Sequence, residues 1–264
     1  MSASESAFAR YVAEATQAPF TGWDFSYLLG RMEEERPTWD YAERVRARFS
    51  GVASLLDMGT GGGEVLASLA PLPARTTATE GYPPNVEVAR ARLAPLGVTV
   101  TAIEGAPDNI HIVSGAGISS LPFPDRHFSL VINRHESYYP AEVHRILEPG
   151  GAFITQQVGG DYHRELNRLL GAPNRPGPTW TADFAIGQLE AAGFRVAAVR
   201  EEYPETVFRD IGAVIYYLKA VPWQVPDFTV DAYRTRLLSL HQRIEVDGGL
   251  RVLGHLFYVE ATKP

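Results

Sequence analysis

The run LLDMGTGGGEVL, residues 55–66, decides how the rest of the chain is read. An apolar segment reaches a carboxylate, Asp57, and then breaks into glycines at 59, 61, 62 and 63 before a helical pattern begins. In an open α/β sheet the ligand crevice lies at the carboxyl ends of the strands, and a glycine turn between the first strand and its helix lets a ligand approach bare backbone. A tight turn that needs positive φ accounts for one or two glycines but not for this cluster. A nicotinamide-type fingerprint, G-x-G-x-x-G, fails here because its third glycine would fall on Glu64.

Outward from this loop the pattern alternates. Strands are expected at 52–57, 75–79, 98–103, 110–113, 128–133 and 152–158, with helices after the glycines and at 84–94 and 141–147. Alternation at these lengths specifies a parallel sheet covered on both faces. Upstream, helices are expected at 5–16 and 40–49, the second capped by Asp40, and they flank an aromatic-rich irregular stretch whose MEEER run reads as a solvated helix face. Past Thr181, ADFAIGQLEAAG reads as helix and FRVAAVREEY as strand; two mostly helical segments follow, and VLGHLFYVEAT reads as one final strand. Gly193 and Gly248–Gly249 end helices. With no internal repeat or flexible linker, the division suggested is an N-terminal helical cap, 1–50, and one α/β domain, 51–264, with an insert near 203–250.

The segment Asp57-Met58-Gly59-Thr60-Gly61-Gly62-Gly63 resembles motif I of class I S-adenosylmethionine-dependent methyltransferases, in particular the small-molecule "methyltransferase domain 11" type. The likeness continues through TATEGY (77–82), LPFPDRHFSLVI (121–132) and AEVHRILEPGGAFIT (141–155), covering about Leu55 to Val158 in order. It implies a three-layer, Rossmann-like, seven-stranded, mostly parallel sheet with an antiparallel last strand. It also implies S-adenosylmethionine as cofactor, held by Asp57, Gly59, Thr60, Gly61 and Gly63, with Asp57 toward its ammonium group and Glu80, beside Gly81, toward its ribose. Where many relatives carry an acid for the adenine amine, this chain has Ala116. Adenine recognition then passes to the backbone of 116–118, that is Ala116, Gly117 and Ile118, or to a carboxylate such as Asp108. The alternative for Asp57 is a strand-end residue capping the turn.

Methyl transfer from a sulfonium is an in-line displacement, so the protein aligns nucleophile and methyl, excludes water, and supplies a base where the nucleophile carries a proton. Strand four runs into NRHESYYP, which places Asn133, Arg134, His135 and Glu136 at the crevice. His135 is the candidate general base, because imidazole titrates near neutral pH; Glu136 is the alternative, and His135 as a structural hydrogen-bonder stays open. Asn133 is assigned to the cofactor, and Arg31 in the aromatic stretch to the cofactor carboxylate. Of Gln156 and Gln157, one faces the crevice, since successive strand residues point to opposite sides. The signature [DN]-P-P-[YFW] of enzymes that methylate nucleobase amines or glutamine is absent.

Composition bounds the remainder. The 264 residues hold no cysteine, which removes disulfides, thiolate nucleophiles and cysteine zinc sites together, and no His/carboxylate cluster at ligand spacing suggests a metal. The net charge of −7 argues against a partner built of phosphates. No apolar run approaches the roughly 20 residues of a spanning helix, and the first residues lack the order of a signal peptide, so a cytoplasmic protein without a membrane partner is expected. The reading is a methyltransferase for a small molecule at oxygen or nitrogen. The alternatives are an RNA or protein methyltransferase and a non-catalytic cofactor-binding module; the insert near 207–228 is read as a pocket wall or a homodimer surface.

Overall fold

In the computed structural model, described over residues 3–20, 24–110, 120–173 and 179–264, the chain divides into two compact units. Ten strands run in chain order: β1 (Met32–Glu34), β2 (Ser54–Met58), β3 (Arg75–Glu80), β4 (Thr99–Ala102), β5 (Phe128–Arg134), β6 (Leu147–Val158), β7 (Arg195–Glu202), β8 (Glu205–Phe208), β9 (Leu250–Leu253) and β10 (Leu256–Thr262).

The larger unit takes residues 38–160, 178–202 and 256–264. Its seven strands lie in the order β4-β3-β2-β5-β6-β10-β7. β2 pairs in parallel with β3 and β5, β3 with β4, and β5 with β6, while β10 runs antiparallel to both of its neighbours, β6 and β7. β2 is buried throughout, and Leu55 and Leu56, which point to opposite faces, are both fully buried. Both faces of the sheet are therefore covered, as a continuous apolar run in a parallel strand requires. On one face Leu56, Val131 and Phe153 join Val143, Ile146, Ala185 and Leu189 of the helices at Pro140–Ile146 and Ala182–Ala191. Local signals set the helix starts: the side chains of Asp40 and Thr181 accept from the backbone N–H of Glu43 (3.0 Å) and Phe184 (3.2 Å).

The second unit takes residues up to 37, 161–177 and 203–255. Its heart is the helix Ile211–Ala220, in which every residue but Lys219 is buried; a helix apolar all round belongs in the middle of a core. The helices Ala3–Gln17 and Val230–Asp247 contribute Phe8, Ala15, Leu237, Leu240 and Ile244 to that core, and β1, β8 and β9 form an antiparallel sheet beside it.

Three expectations change. MEEER is not a helix face: Met32–Glu34 is a strand, with Met32 opposite Phe208, too short to show its period in the sequence. VLGHLFYVEAT is two strands in different units, interrupted at Gly254, whose N–H donates to Pro204 O at 2.7 Å. The chain does not divide at residue 50 either. Residues 38–50 belong to the sheet unit, and the 203–255 segment shares its core with the N-terminal helix rather than standing as an insert in the sheet domain. The strand expected at 110–113 falls largely on residues outside the described ones.

Candidate active site

The crevice forms at the carboxyl ends of β2 to β5, and the glycine loop builds its floor. Gly59 (φ +67°) and Gly61 (φ +62°) are left-handed, a conformation in which a Cβ is strained. The end of β3 holds this loop. Gly59 N–H donates to Thr79 Oγ1 (3.2 Å), Thr60 N–H to Thr79 O (2.8 Å), and Gly61 N–H to Glu80 Oε2 (2.7 Å), while Tyr82 N–H donates to Glu80 Oε1 (2.8 Å). Glu80, 6% exposed, thus binds backbone on both sides of the crevice floor and keeps one lone pair on each oxygen for a ligand.

Asp57, also 6% exposed, is pushed up to about 7: burial raises its pKa, the Thr60 hydroxyl and Arg134 oppose, and the Glu80 charge adds to the rise. Glu136 is pushed up to about 7 as well, by burial and again by Glu80. Its side chain crosses the crevice. A Cβ on Gly59 would come within 2.5 Å of the Glu136 Cβ, and a Cβ on Gly105 would overlap its carboxylate. Glycine is required at 59 for a close approach as well as for φ. Met58, Thr79, Ile103 and Tyr139 complete the walls.

Asn133 closes β5 between Met58 and Thr155 and is fully buried. Its Oδ1 accepts from Thr155 Oγ1 (2.9 Å) and Gln157 Nε2 (2.6 Å), whereas its Nδ2 meets no acceptor among the described residues. A buried donor without a partner is costly and marks a place where a ligand atom fits. His135 follows at φ +63°, a conformation rare outside glycine that concentrates at functional sites. Its N–H donates to Gln156 O (2.8 Å), and its ring places Nε2 at 3.1 Å from Gln156 Nε2. Surrounding protein and the Arg134 guanidinium hold the imidazole below its ordinary pKa. The two glutamines do point apart. Gln156 Oε1 accepts from the Trp39 indole N–H (2.8 Å), and Gln157 joins Asn133, Thr155 and the Glu136 carbonyl (3.1 Å).

Arg31, expected at the cofactor carboxylate, is placed elsewhere in the chain's two-unit division. It lies in the other unit, where it grips Asp210 with two nitrogens (2.8 and 2.6 Å) and stacks over Tyr27 at 4.2 Å. Ala116, Gly117 and Ile118 lie outside the described residues. Sequence reasoning missed Gly105 and Tyr41; burial and the nearby Asp57 raise the pKa of the Tyr41 phenol. A signal for the first exists. TAIEGA (101–106) is similar to TATEGY (77–82), and each sets a Glu-Gly pair at or just past the end of a strand.

This sheet order, with a reversed strand inside an otherwise parallel array and a glycine loop after its central strand, is the fold of class I methyltransferases. Residues 56–155 match the family model described as a methyltransferase domain, and this stretch, with the sheet order above, is a class I methyltransferase domain. Among proteins of known sequence it is similar, at 28% identity over 134 residues (50% of this chain), to a candidate 23S rRNA (guanine-N(1)-)-methyltransferase of Bacillus subtilis strain 168. That match spans 46% of the relative's own length. Among solved structures, a candidate methyltransferase of Bacillus halodurans C-125 superposes with a TM-score of 0.58 at 18% identity, covering 85% of this chain and 99% of the other. The YcgJ protein of Bacillus subtilis superposes with a TM-score of 0.55 at 15% identity, covering 84% and 97%. Both likenesses concern the fold.

Proposed function

We propose that the protein transfers a methyl group from S-adenosylmethionine to a small-molecule acceptor, at oxygen or nitrogen. The observation that carries this reading is the charge of the crevice: the Glu80 charge adds to the raised pKa of both Asp57 and Glu136, and Arg134 is the one cation that opposes the rise at Asp57. Buried acids with raised pKa values lack a cation, and the cofactor brings two, a sulfonium and an ammonium. Bound, it supplies an electrophilic methyl group.

The chain's own residues do the rest. Asp57 faces the ammonium group, the free lone pairs of Glu80 accept from the ribose hydroxyls, and the bare backbone at Gly59 and Gly61 lets the cofactor lie against the loop. Asn133 Nδ2 offers a donor to the cofactor or the acceptor. Removal of a proton from the acceptor falls to Glu136, whose carboxylate crosses the crevice poised near neutral pH, whereas His135 Nε2 lies against the Gln156 amide. An acidic crevice repels polyanions, which supports a small acceptor over a nucleic acid.

A second reading, methylation of an RNA base, is favoured by the name of the Bacillus subtilis relative. Calorimetric titration with S-adenosylmethionine and with its demethylated product tests the cofactor assignment: both should bind, and failure of both refutes it. Counting methyl transfer into ribosomal RNA transcripts against a metabolite panel then separates the two acceptor classes.

A further inference from the structure

Trp39, Gln156 and His135 form a hydrogen-bonded row at the carboxyl ends of β5 and β6, within the sheet unit. Trp39 and Gln156 are each 5% exposed, and the indole ring leans on Tyr258 at 6.4 Å. Chemistry fixes the direction of every bond in this row. An indole N–H only donates, so the Gln156 atom at 2.8 Å from it is the oxygen. The amide nitrogen is thereby turned toward His135, 3.1 Å from its Nε2. A carboxamide NH2 only donates, so Nε2 accepts with its lone pair and carries no proton. An imidazolium would set N–H against NH2, so the ring is neutral and its one proton sits on Nδ1, which has no protein partner among the described residues.

We propose that Trp39 and Gln156 lock His135 in its Nδ1–H tautomer, so that His135 meets the methyl acceptor as a hydrogen-bond donor and favours acceptors with a lone pair beside the reacting atom. Its role toward the acceptor rests on the methyl-transfer reading above; the lock does not. Trp39 and Gln156 act as positioning residues through His135, and the Nε2 lone pair, already engaged, is withdrawn from base chemistry. The strained backbone at His135, held by its N–H on Gln156 O at 2.8 Å, aims the ring from the same residue that sets its tautomer.

The test is a long-range proton–nitrogen correlation spectrum of the imidazole rings in the full chain, with His135 assigned by the signal lost in His135→Gln. The expected wild-type pattern is a protonated Nδ1 and an unprotonated Nε2. In Gln156→Glu the carboxylate accepts where the amide donated, so the proton moves to Nε2. In Trp39→Phe, which keeps the ring contact and loses the indole N–H, the amide turns freely and the two tautomers mix. A proton on Nε2 in the wild type, or a pattern unmoved by both substitutions, overturns the proposal. Titration with S-adenosylmethionine on the same samples keeps the readings apart. Absence of binding to wild type refutes the acceptor role and leaves the lock standing, whereas normal binding with the wrong tautomer refutes the lock alone.

Discussion

Replacing Glu80 by glutamine perturbs the crevice at the point where loop and ligand meet. The carboxylate accepts from Gly61 N–H at 2.7 Å on one oxygen and from Tyr82 N–H at 2.8 Å on the other. An amide keeps one acceptor and sets an NH2 against the second backbone N–H, donor against donor. Leaving that buried N–H unpaired costs about 1–3 kcal/mol. At roughly 2–4 °C per kcal/mol for a unit of this size, the Tm of the ligand-free protein should fall by about 2–12 °C. The lone pairs assigned to the ribose suffer as well. Loss of one hydrogen bond to a charged group, worth about 1.5–3 kcal/mol, weakens S-adenosylmethionine binding roughly 10- to 150-fold. Scanning and titration calorimetry on one preparation read both numbers. A lower Tm with unchanged affinity refutes the ribose assignment, and a lower affinity with unchanged Tm refutes the account of how the loop is held.

The other expectations are as direct. Gly59→Ala and Gly61→Ala both place a Cβ at a left-handed φ, at about 1–2 kcal/mol, but only the first drives it onto the Glu136 stem, adding about 1–3 kcal/mol. Urea unfolding should rank them in that order, and equal losses would show that Glu136 does not lie against the loop. Asp57 and Glu136 sit near 7 in the folded chain and near 4 in the unfolded one, so the folded state binds their protons more tightly. Ligand-free stability should therefore decline between about pH 4 and pH 7, and Asp57→Asn should flatten part of that slope; an unaltered slope argues against a raised Asp57. A bound cation favours the ionised acids, so affinity for S-adenosylmethionine should rise from pH 6 to 8, and a flat profile would contradict the acidic crevice. Arg31→Lys gives up two-pronged pairing with Asp210 and should lose about 1 kcal/mol of stability with no change in cofactor affinity. A tenfold weaker cofactor would return Arg31 to the site.

The sheet was legible because its signals are local and strong. LLDM is apolar enough for a doubly covered strand, D-x-G-x-G-x-G and TATEGY mark strand ends by residue type, and LEPGG marks the start of β6. The second unit was not, because its pieces at 1–37, 161–177 and 203–255 find one another only in space. Its β1 is three residues long, below the length at which alternation can be seen. The partner of Arg31 was hidden for the same reason: nothing near it in sequence announces Asp210, 179 positions away. At the crevice, the identity of the acids was readable and their mutual influence was not, since the rise in Asp57 and Glu136 comes from burial and from Glu80 on a different strand. The tautomer of His135 depends on Trp39, 96 residues upstream, through an amide whose orientation only the indole decides.

The place of β10 bears on how the molecule comes into being. In chain order it is the last strand, yet it lies inside the sheet, between β6 and β7. During synthesis β6 emerges first and β7 some forty residues later, and neither can join the other until residues 256–262 arrive to bridge them. Until then β6 presents an open edge and β7 has no partner, a condition in which newly made chains seek one another. The whole 203–255 segment must leave the ribosome before that edge closes, so the sheet is completed only by pairing between residues far apart in the chain.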